Sequence, residues 1–317
     1  MALDTVITGL RQDEVTGELE TESTLKCSVG VMAYNEERNI GRILQALLEQ
    51  QMEGCQIEEI IVLASGCTDN TVNIVNEFAS INPSIKLVVQ EKRMGKASAV
   101  NLFMRHAISD ILVMESADTL PEANTIARLI EPFRDPNVGM TGGHPVPIND
   151  PSTFMGYAVH MLWQLHHQIA MKSPKLGELT AYRHIFYRIP NDSAVDEANM
   201  EPLIRGQGFQ LRYVPEAIVY NRGAETVQDF LKQRRRIHAG HLRMAREQGY
   251  TVATMGARPI LAAIVSGFKW DWHYFLWTPA VIGLEAYGRY LGWLDYRLKK
   301  KSHAIWDIAA TTKGEVK

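Results

Sequence analysis

In the stretch Ile111–Asp118, four apolar residues run directly into Glu115, Ser116, Ala117 and Asp118. A run like Ile111–Met114 belongs in a buried strand, where a carboxylate is costly unless something pairs with it. Carboxylates at a strand end suit a hard divalent cation, which takes oxygen ligands and shares its remaining positions with phosphate. A second acidic group, the adjacent Asp196 and Glu197, has the chemistry of a general base for a hydroxyl that must lose a proton as it attacks. Lys92, Arg93 and Lys96 crowd a loop with Gly95 ahead of a helical pattern, an arrangement suited to binding phosphate. Gln233 and Arg236, three apart in a helical stretch, share a face. Each has a plainer alternative. Asp118 could cap a helix starting at Thr119-Leu120-Pro121, the basic loop could be a solvated turn, and Asp196–Glu197 could be an exposed helix start.

The elements that must position these residues alternate. LKCSVGVMA from Leu25, IEEIIVLAS from Ile57, IKLVVQ from Ile85 and ILVMES from Ile111 read as strands, with VGMTGG from Val138 as a fifth. Between them lie helical patterns: RNIGRILQALLEQQ, TDNTVNIVNEFASI with Thr68 or Asp69 as its cap, GKASAVNLFMRHA, and PEANTIARLIEPF with Pro121 in its first turn. Such alternation predicts a parallel, doubly wound α/β sheet, whose ligands bind beyond the carboxyl ends of the strands. The polar clusters AYNEE, ASGCTD, EKRMGK and ESAD all fall at that edge. Strand alternation puts Glu115 on the other face from its neighbours unless a bulge turns it inward. Farther on, STFMGYAVHMLWQLHHQIA and TVQDFLKQRRRIHAGHLRMAREQ read as helices, AYRHIFYRIP as a strand or turn, VDEANMEPLIRG as a helix, and LRYVPEAIVYN as two short strands broken at Pro215.

Composition fits a globular chain of 317 residues, with 46% hydrophobic and 22% charged residues. A formal net charge of −3 gives no reason to expect nucleic acid as a partner. Cys27, Cys55 and Cys67 form no C-x-x-C pair, and no basic segment followed by an apolar one opens the chain, so a cytoplasmic setting is expected. Residues 1–24 are polar and acidic and read as a flexible tail. The 252–301 region is rich in tryptophan and ends in Arg297, Lys299, Lys300 and Lys301. It has no uninterrupted run of the roughly 20 apolar residues that a spanning helix needs. It suits peripheral contact with the cytoplasmic face of a membrane, or equally a helical hairpin packed on the rest of the protein.

From Leu25 to Leu242 the chain resembles a family 2 glycosyltransferase with the GT-A fold. VGVMAYNEERNIGRILQAL resembles the opening strand and helix of that family, and IIVLASGCTDNTVNIV the second strand and nucleotide-binding turn. EKRMGKASAVN resembles its Gly-Lys loop, ILVMESADT its metal-binding strand end, AVDEANMEPLIRGQGF its acidic acceptor-site motif, and FLKQRRRIHAGH its Gln-x-x-Arg segment. The resemblance implies a GT-A catalytic domain over 25–250, with a nucleotide-sugar half (25–145) and an acceptor half (146–250), followed by a helical C-terminal region over 251–317. It also implies a metal-dependent, inverting transfer of a sugar from a UDP- or GDP-sugar to a sugar or lipid-linked acceptor, with Mn2+ or Mg2+ as cofactor.

By position, Asp118 matches the last aspartate of the family's D-x-D motif and so the metal ligand, while Ser116 replaces the first. Ala33, Tyr34, Glu36, Ser65, Lys96, Ser116, Ala117, Gln233, Arg235 and Arg236 fall where the nucleotide-sugar binds. Ala64 and Ser65 replace the family's usual acidic pair there. Glu197 aligns with the catalytic aspartate and Asp196 with the acidic residue before it, and both stand as candidates for the base. Ile237 stands where processive synthases place tryptophan, which favours addition of one or a few sugars. His238 and His241 read as part of the acceptor-side helix surface, with His166 and His167 structural. Two other readings are a nucleotidyltransferase, which would want a glycine-rich loop after the first strand, and a non-catalytic nucleotide-sugar-binding scaffold.

Overall fold

The computed structural model describes residues 24–191, 193–266, 270–298, 305 and 309–314. The acidic tail expected over 1–24, except its last residue, and Lys299, Lys300 and Lys301 lie outside them. Eight strands form one sheet: β1 (Leu25–Ala33), β2 (Cys55–Ser65), β3 (Ile85–Gln90), β4 (Ile111–Ser116), β5 (Thr119–Pro121), β6 (Val138–Pro147), β7 (Thr180–Arg183) and β8 (Gln210–Asn221). Their order is β3-β2-β1-β4-β7-β6-β8-β5. The first four in that order run parallel, β7 pairs antiparallel with both β4 and β6, β6 and β8 are parallel, and β5 is antiparallel to β8. The sheet is therefore mixed, with the expected parallel part at one side.

Helices α1 (Ile40–Leu48), α2 (Thr71–Ile81), α3 (Lys96–His106) and α4 (Thr125–Ile130) connect the early strands. The central strands β1, β2 and β4 are buried on both faces, which is why they read as near-continuous apolar runs. One core holds Val29, Val31, Ile43 and Leu44 with Ile126 and Leu129 of α4. The other holds Met32, Leu63 and Met114 with Phe103 of α3. A Cβ on Gly30 would stand 2.6 Å from the Phe103 ring, so only glycine lets α3 lie that close to β1.

The structure departs from the sequence expectation at two places. Thr119–Pro121 does not begin a helix. It forms β5, with Leu120 paired to Tyr220, and α4 starts at Thr125 after Asn124. Asp118 therefore caps nothing, because a short strand intervenes. LRYVPEAIVYN is one strand, β8, since the bend at Pro215 is absorbed as a register shift against β6 between Gly142 and His144.

The second half adds α5 (Phe154–Ala170), α6 (Asp196–Gly206), α7 (Val227–Gln248), α8 (Ala257–Ser266) and α9 (Trp272–Leu298). Thr153 and Thr226 cap α5 and α7 by accepting hydrogen bonds from the backbone N–H groups of Gly156 and Asp229. Helix α9 lies along α7. Cβ atoms on Gly288 and Gly292 would meet the Arg234 side chain at 2.7 Å and the Arg235 carbonyl at 2.5 Å. Glu285 accepts from Arg234 at 2.6 and 2.9 Å and from Arg289 at 2.8 Å, and Arg235 forms a bidentate pair with the buried Asp295. The C-terminal region is thus a helical extension packed on α7, yet Trp270, Trp272, Phe275, Leu276 and Trp293 remain exposed. No helix among the described residues is long and apolar enough to cross a membrane.

Burial opposes ionisation of Glu285, but Arg234 and Arg289 outweigh it and hold its pKa at about 2, below the ordinary 4.5. A carboxylate depressed on folding stabilises above its unfolded pKa and loses that contribution as pH falls through the folded value. An acid titration followed by tryptophan fluorescence should therefore show α9 loosening between pH 4.5 and 2. Glu285→Gln should lack that phase and melt lower at neutral pH, by on the order of 2 kcal/mol for a partly exposed pair.

Candidate active site

The carboxyl ends of β1, β2 and β4 open into a cavity of about 770 Å³ that continues between α5, α7, α8 and α9. Two loops at its rim are stitched together. Asn35, in a left-handed conformation at φ 52°, accepts from the Thr68 N–H at 2.8 Å. The Glu36 N–H donates to the Thr71 hydroxyl at 2.8 Å, and the Glu37 N–H donates to Asp69 at 3.1 Å. Asp69 thus locks the loop after β2 to the loop after β1 and also receives the Thr71 N–H. Gly66, at φ 67°, turns that loop where a Cβ would stand 2.5 Å from the Arg93 backbone nitrogen.

Ala33, Tyr34, Glu36, Ser65, Lys96, Ser116, Asp118, Glu197, Gln233 and Arg236 all line this cavity. The Ser65 hydroxyl donates to Gln90 at 2.8 Å, which fixes it toward the edge strand. The Arg93 guanidinium lies 4.0 Å from the Tyr34 ring centroid, so the loop after β3 packs on the loop after β1. Lys92 is exposed and takes no part in the lining.

At the centre Lys96, the first residue of α3, reaches Glu197 of α6 at 2.6 Å and donates to the Ser116 hydroxyl at 3.4 Å. Burial would depress the lysine, but Glu197 and then Asp196 hold its pKa above the ordinary value. Burial would likewise raise Glu197, but the Lys96 charge and hydrogen bond hold it below the usual carboxylate range. Asp196 behaves in the opposite way. It is fully buried behind the lining, and burial together with the charge on Glu197 raises it to about 7. The two adjacent carboxylates are therefore unlike: Glu197 is ionised and faces the cavity, while Asp196 sits beneath it.

Asp118 has acidic company. Burial and the charge on Asp118 lift Glu36 to about 7, with Lys313 opposing. The same two causes lift Glu178 to about 7. Glu115, on the far face of β4, is buried against Thr119 and rises to about 8. These groups contrast with Glu59, a buried carboxylate supplied by Ser28 at 2.7 Å, Lys86 at 2.6 Å and the Ile108 N–H at 2.9 Å. Asp118 presents a carboxylate to the cavity, the kind of oxygen ligand that a divalent cation takes when phosphate oxygens complete its shell. Among the described residues no three His, Cys, Asp or Glu side chains are grouped to hold an ion alone.

Two of the expected nucleotide-sugar residues lie elsewhere. Arg235 points away from the cavity because Asp295 of α9 claims its guanidinium. Ala117 is buried in the first core, with its N–H donating to the Met32 carbonyl at 3.2 Å. His241 is buried in the cavity wall rather than on a helix surface, and burial keeps it neutral. His167 bonds the Tyr213 hydroxyl at 2.8 Å and stacks on His144 at 4.1 Å.

Two lining residues had no sequence signal. Glu178 precedes β7 with φ at 60°, a left-handed conformation that costs a non-glycine residue on the order of 1 kcal/mol. The unusual backbone aims its carboxylate into the cavity. Lys313 is separated from Tyr34 by 279 positions, and nothing in its local sequence points to the site.

The model for the family described as glycosyl transferase family 2 matches residues 28–197, more than half of the chain. The chain belongs to glycosyl transferase family 2. The matched span ends on Glu197 and contains Lys96, Asp118 and Glu178, whereas α7 to α9 lie beyond it. The poly-beta-1,6-N-acetyl-D-glucosamine synthase of Staphylococcus aureus (strain COL) is 26% identical over 235 residues, 70% of this chain and 56% of that protein. The Staphylococcus epidermidis protein of the same name is 24% identical over the same length. The chain therefore spans 56% of the length of these curated relatives. A mannosyltransferase from Pyrobaculum calidifontis, solved in complex with GDP-Man and Mn2+, shares the fold with a TM-score of 0.60. The similarity covers 87% of this chain and 88% of that one at 21% identity.

Gly66→Ala tests whether the stitched loops carry the site. The left-handed backbone costs an alanine about 1–2 kcal/mol, and the Arg93 backbone must also shift. The variant should melt several degrees lower and lose nucleotide affinity, as read by calorimetry, whereas alanine at Gly206, outside the cavity and where a Cβ meets nothing, should not.

Proposed function

We propose that the protein transfers a sugar, with inversion, from a nucleotide-diphospho-sugar to an acceptor hydroxyl, with Glu197 as general base. The observation that carries this reading is the pairing of an ionised, cavity-facing Glu197 with Lys96 in a cavity that Asp118 also lines. Tyr34, Glu36 and Ser65 border the nucleoside end, and Lys96, Gln233 and Arg236 surround the diphosphate and sugar. Asp118 would hold a Mn2+ or Mg2+ ion, which when bound neutralises the charge that develops on the leaving diphosphate. Glu197 accepts the proton of the acceptor hydroxyl, and the surrounding cations favour its ionised form. Arg236, lowered by burial to about 10 with Asp196 and Glu197 opposing, stays charged and adds a fixed donor toward the leaving group.

The far part of the cavity supports a lipid-linked acceptor. Its walls carry Val159, Leu162, Ile264, Val281 and Ile282, with Arg236 and Arg289 among them. An apolar wall beside guanidinium groups suits an amphiphile with an anionic head. The exposed aromatic face of α9 suits contact with a lipid surface that presents such an acceptor.

The test is release of nucleoside diphosphate from a panel of UDP- and GDP-sugars with candidate acceptors. Turnover with one donor should fall about 10²- to 10⁴-fold in Glu197→Gln, while donor affinity stays near wild type. No turnover with any donor, in folded protein that binds nucleotide, would contradict the catalytic reading. In Lys96→Met, Glu197 loses the strongest influence that opposes its burial and keeps only a backbone hydrogen bond and Arg236, so its pKa rises and the acid limb of the rate profile should move to higher pH. Flotation with anionic vesicles should carry the wild type upward, and Trp272→Ala with Leu276→Ala should reduce that fraction.

A further inference from the structure

The residues Ala309–Gly314 return to the donor end of the cavity, far from the family span. Ala309, Thr312 and Lys313 line it. The segment is tied to both halves of the site. Thr311 donates to Asp229, near the start of α7, through its hydroxyl at 2.8 Å and its N–H at 3.1 Å, and it accepts from the Glu225 N–H at 3.2 Å. On the other side Asn39 donates to the Lys313 carbonyl at 3.5 Å.

The Lys313 ammonium sits in a notch made by the loop after β1. It donates to Glu36 Oε1 at 2.6 Å, to the Asn35 carbonyl at 3.2 Å and to the Tyr34 carbonyl, and it lies 5.2 Å from the Tyr34 ring centroid. Glu36 is only 6% exposed and the lysine side chain 25%. All three partners are oxygens, so without the ammonium, at a pH where Glu36 is ionised, the notch would present a buried carboxylate and two carbonyl dipoles at the rim of a cavity that also contains Asp118. A nucleoside diphosphate would meet that array as like charge, in a setting where screening is weak.

We propose that Lys313 is a positioning residue of the donor site: its ammonium neutralises the notch formed by Tyr34, Asn35 and Glu36 and so makes that end receptive to a nucleoside diphosphate. This rests on the donor-site reading above. The lysine acts through Glu36 rather than as a ligand of the phosphates, since its three protons are already directed to the notch. The chain beyond the family span thereby contributes to a site whose Tyr34, Glu36, Ser65, Lys96 and Asp118 lie within it.

The test is calorimetric titration of the full chain with UDP and with GDP, each with Mn2+, on Lys313→Ala, Lys313→Arg, Glu36→Gln and the Lys313→Ala/Glu36→Gln double variant. Lys313→Met, which keeps the stem and drops the charge, replaces the alanine variant if that one melts below the assay temperature. The nucleotide that wild type binds should bind about tenfold more weakly to Lys313→Ala, within about threefold of wild type to Lys313→Arg, and the double variant should regain most of the loss. The regain separates charge compensation from a merely structural role, because removing a second contact would not repair a damaged fold. Equal or tighter binding in Lys313→Ala, or a double variant no better than it, overturns the proposal. Folded wild type that binds neither nucleotide overturns the donor-site reading itself, and this proposal with it.

Discussion

Carboxylates held out of water around the end of β4 set the terms for the rest of the molecule. Asp118, Glu36, Glu178, Glu115, Asp196 and Glu197 cannot all ionise together in so small a space without cations close by. Lys96 answers the charge at one end and Lys313 at the other, with Arg236 between the halves. Where a cation outweighs burial, as Lys96 does at Glu197, the acid is held ionised, whereas at Glu36 burial and Asp118 outweigh Lys313. Where burial and like charge dominate, as at Glu178 and Asp196, the pKa climbs to about 7. That unevenness is what a transfer site needs: one carboxylate ready to take a proton, and an acidic group that a divalent cation would relieve.

The supporting structure places those charges with few degrees of freedom. The short strand β5 follows Asp118 directly and fixes the chain by pairing with β8, so the aspartate sits on a braced turn rather than at a helix start. Helix α7 is shared between two tasks. Gln233 and Arg236 look into the cavity, while Arg234 and Arg235 fasten α9 through Glu285 and Asp295. The C-terminal helices thus wall the apolar part of the cavity, and the Ala309–Gly314 segment returns to its rim at the loop after β1.

The strands, most helices and the convergence of polar clusters at one sheet edge were legible because period and burial leave strong marks. The wrong readings have local causes. Thr119-Leu120-Pro121 looks like a helix start, since a three-residue strand carries no periodicity and its pairing with Tyr220 is a distant event. Pro215 looks like a break, although a register shift absorbs it. The spacing of Gln233 and Arg236 indicated one face, but the triple arginine gave no sign that Asp295 would turn Arg235 outward. Glu178 and Lys313 were invisible for different reasons. One depends on an uncommon backbone angle, and the other on a contact between the two ends of the chain. Motif position put Glu197 ahead of Asp196 while keeping both as candidates, and what sets them apart in the structure, burial and the contact with Lys96, leaves no mark in the sequence.

The most direct measurement of the central claim is the electron paramagnetic resonance signal of free Mn2+, titrated with protein in the presence and absence of UDP or GDP. One nucleotide should strengthen Mn2+ uptake by the wild-type chain, and Asp118→Ala, folded by its melting curve, should abolish the enhancement. Nucleotide-dependent uptake that survives in Asp118→Ala would contradict the assignment of Asp118 as the residue on which the donor site is built.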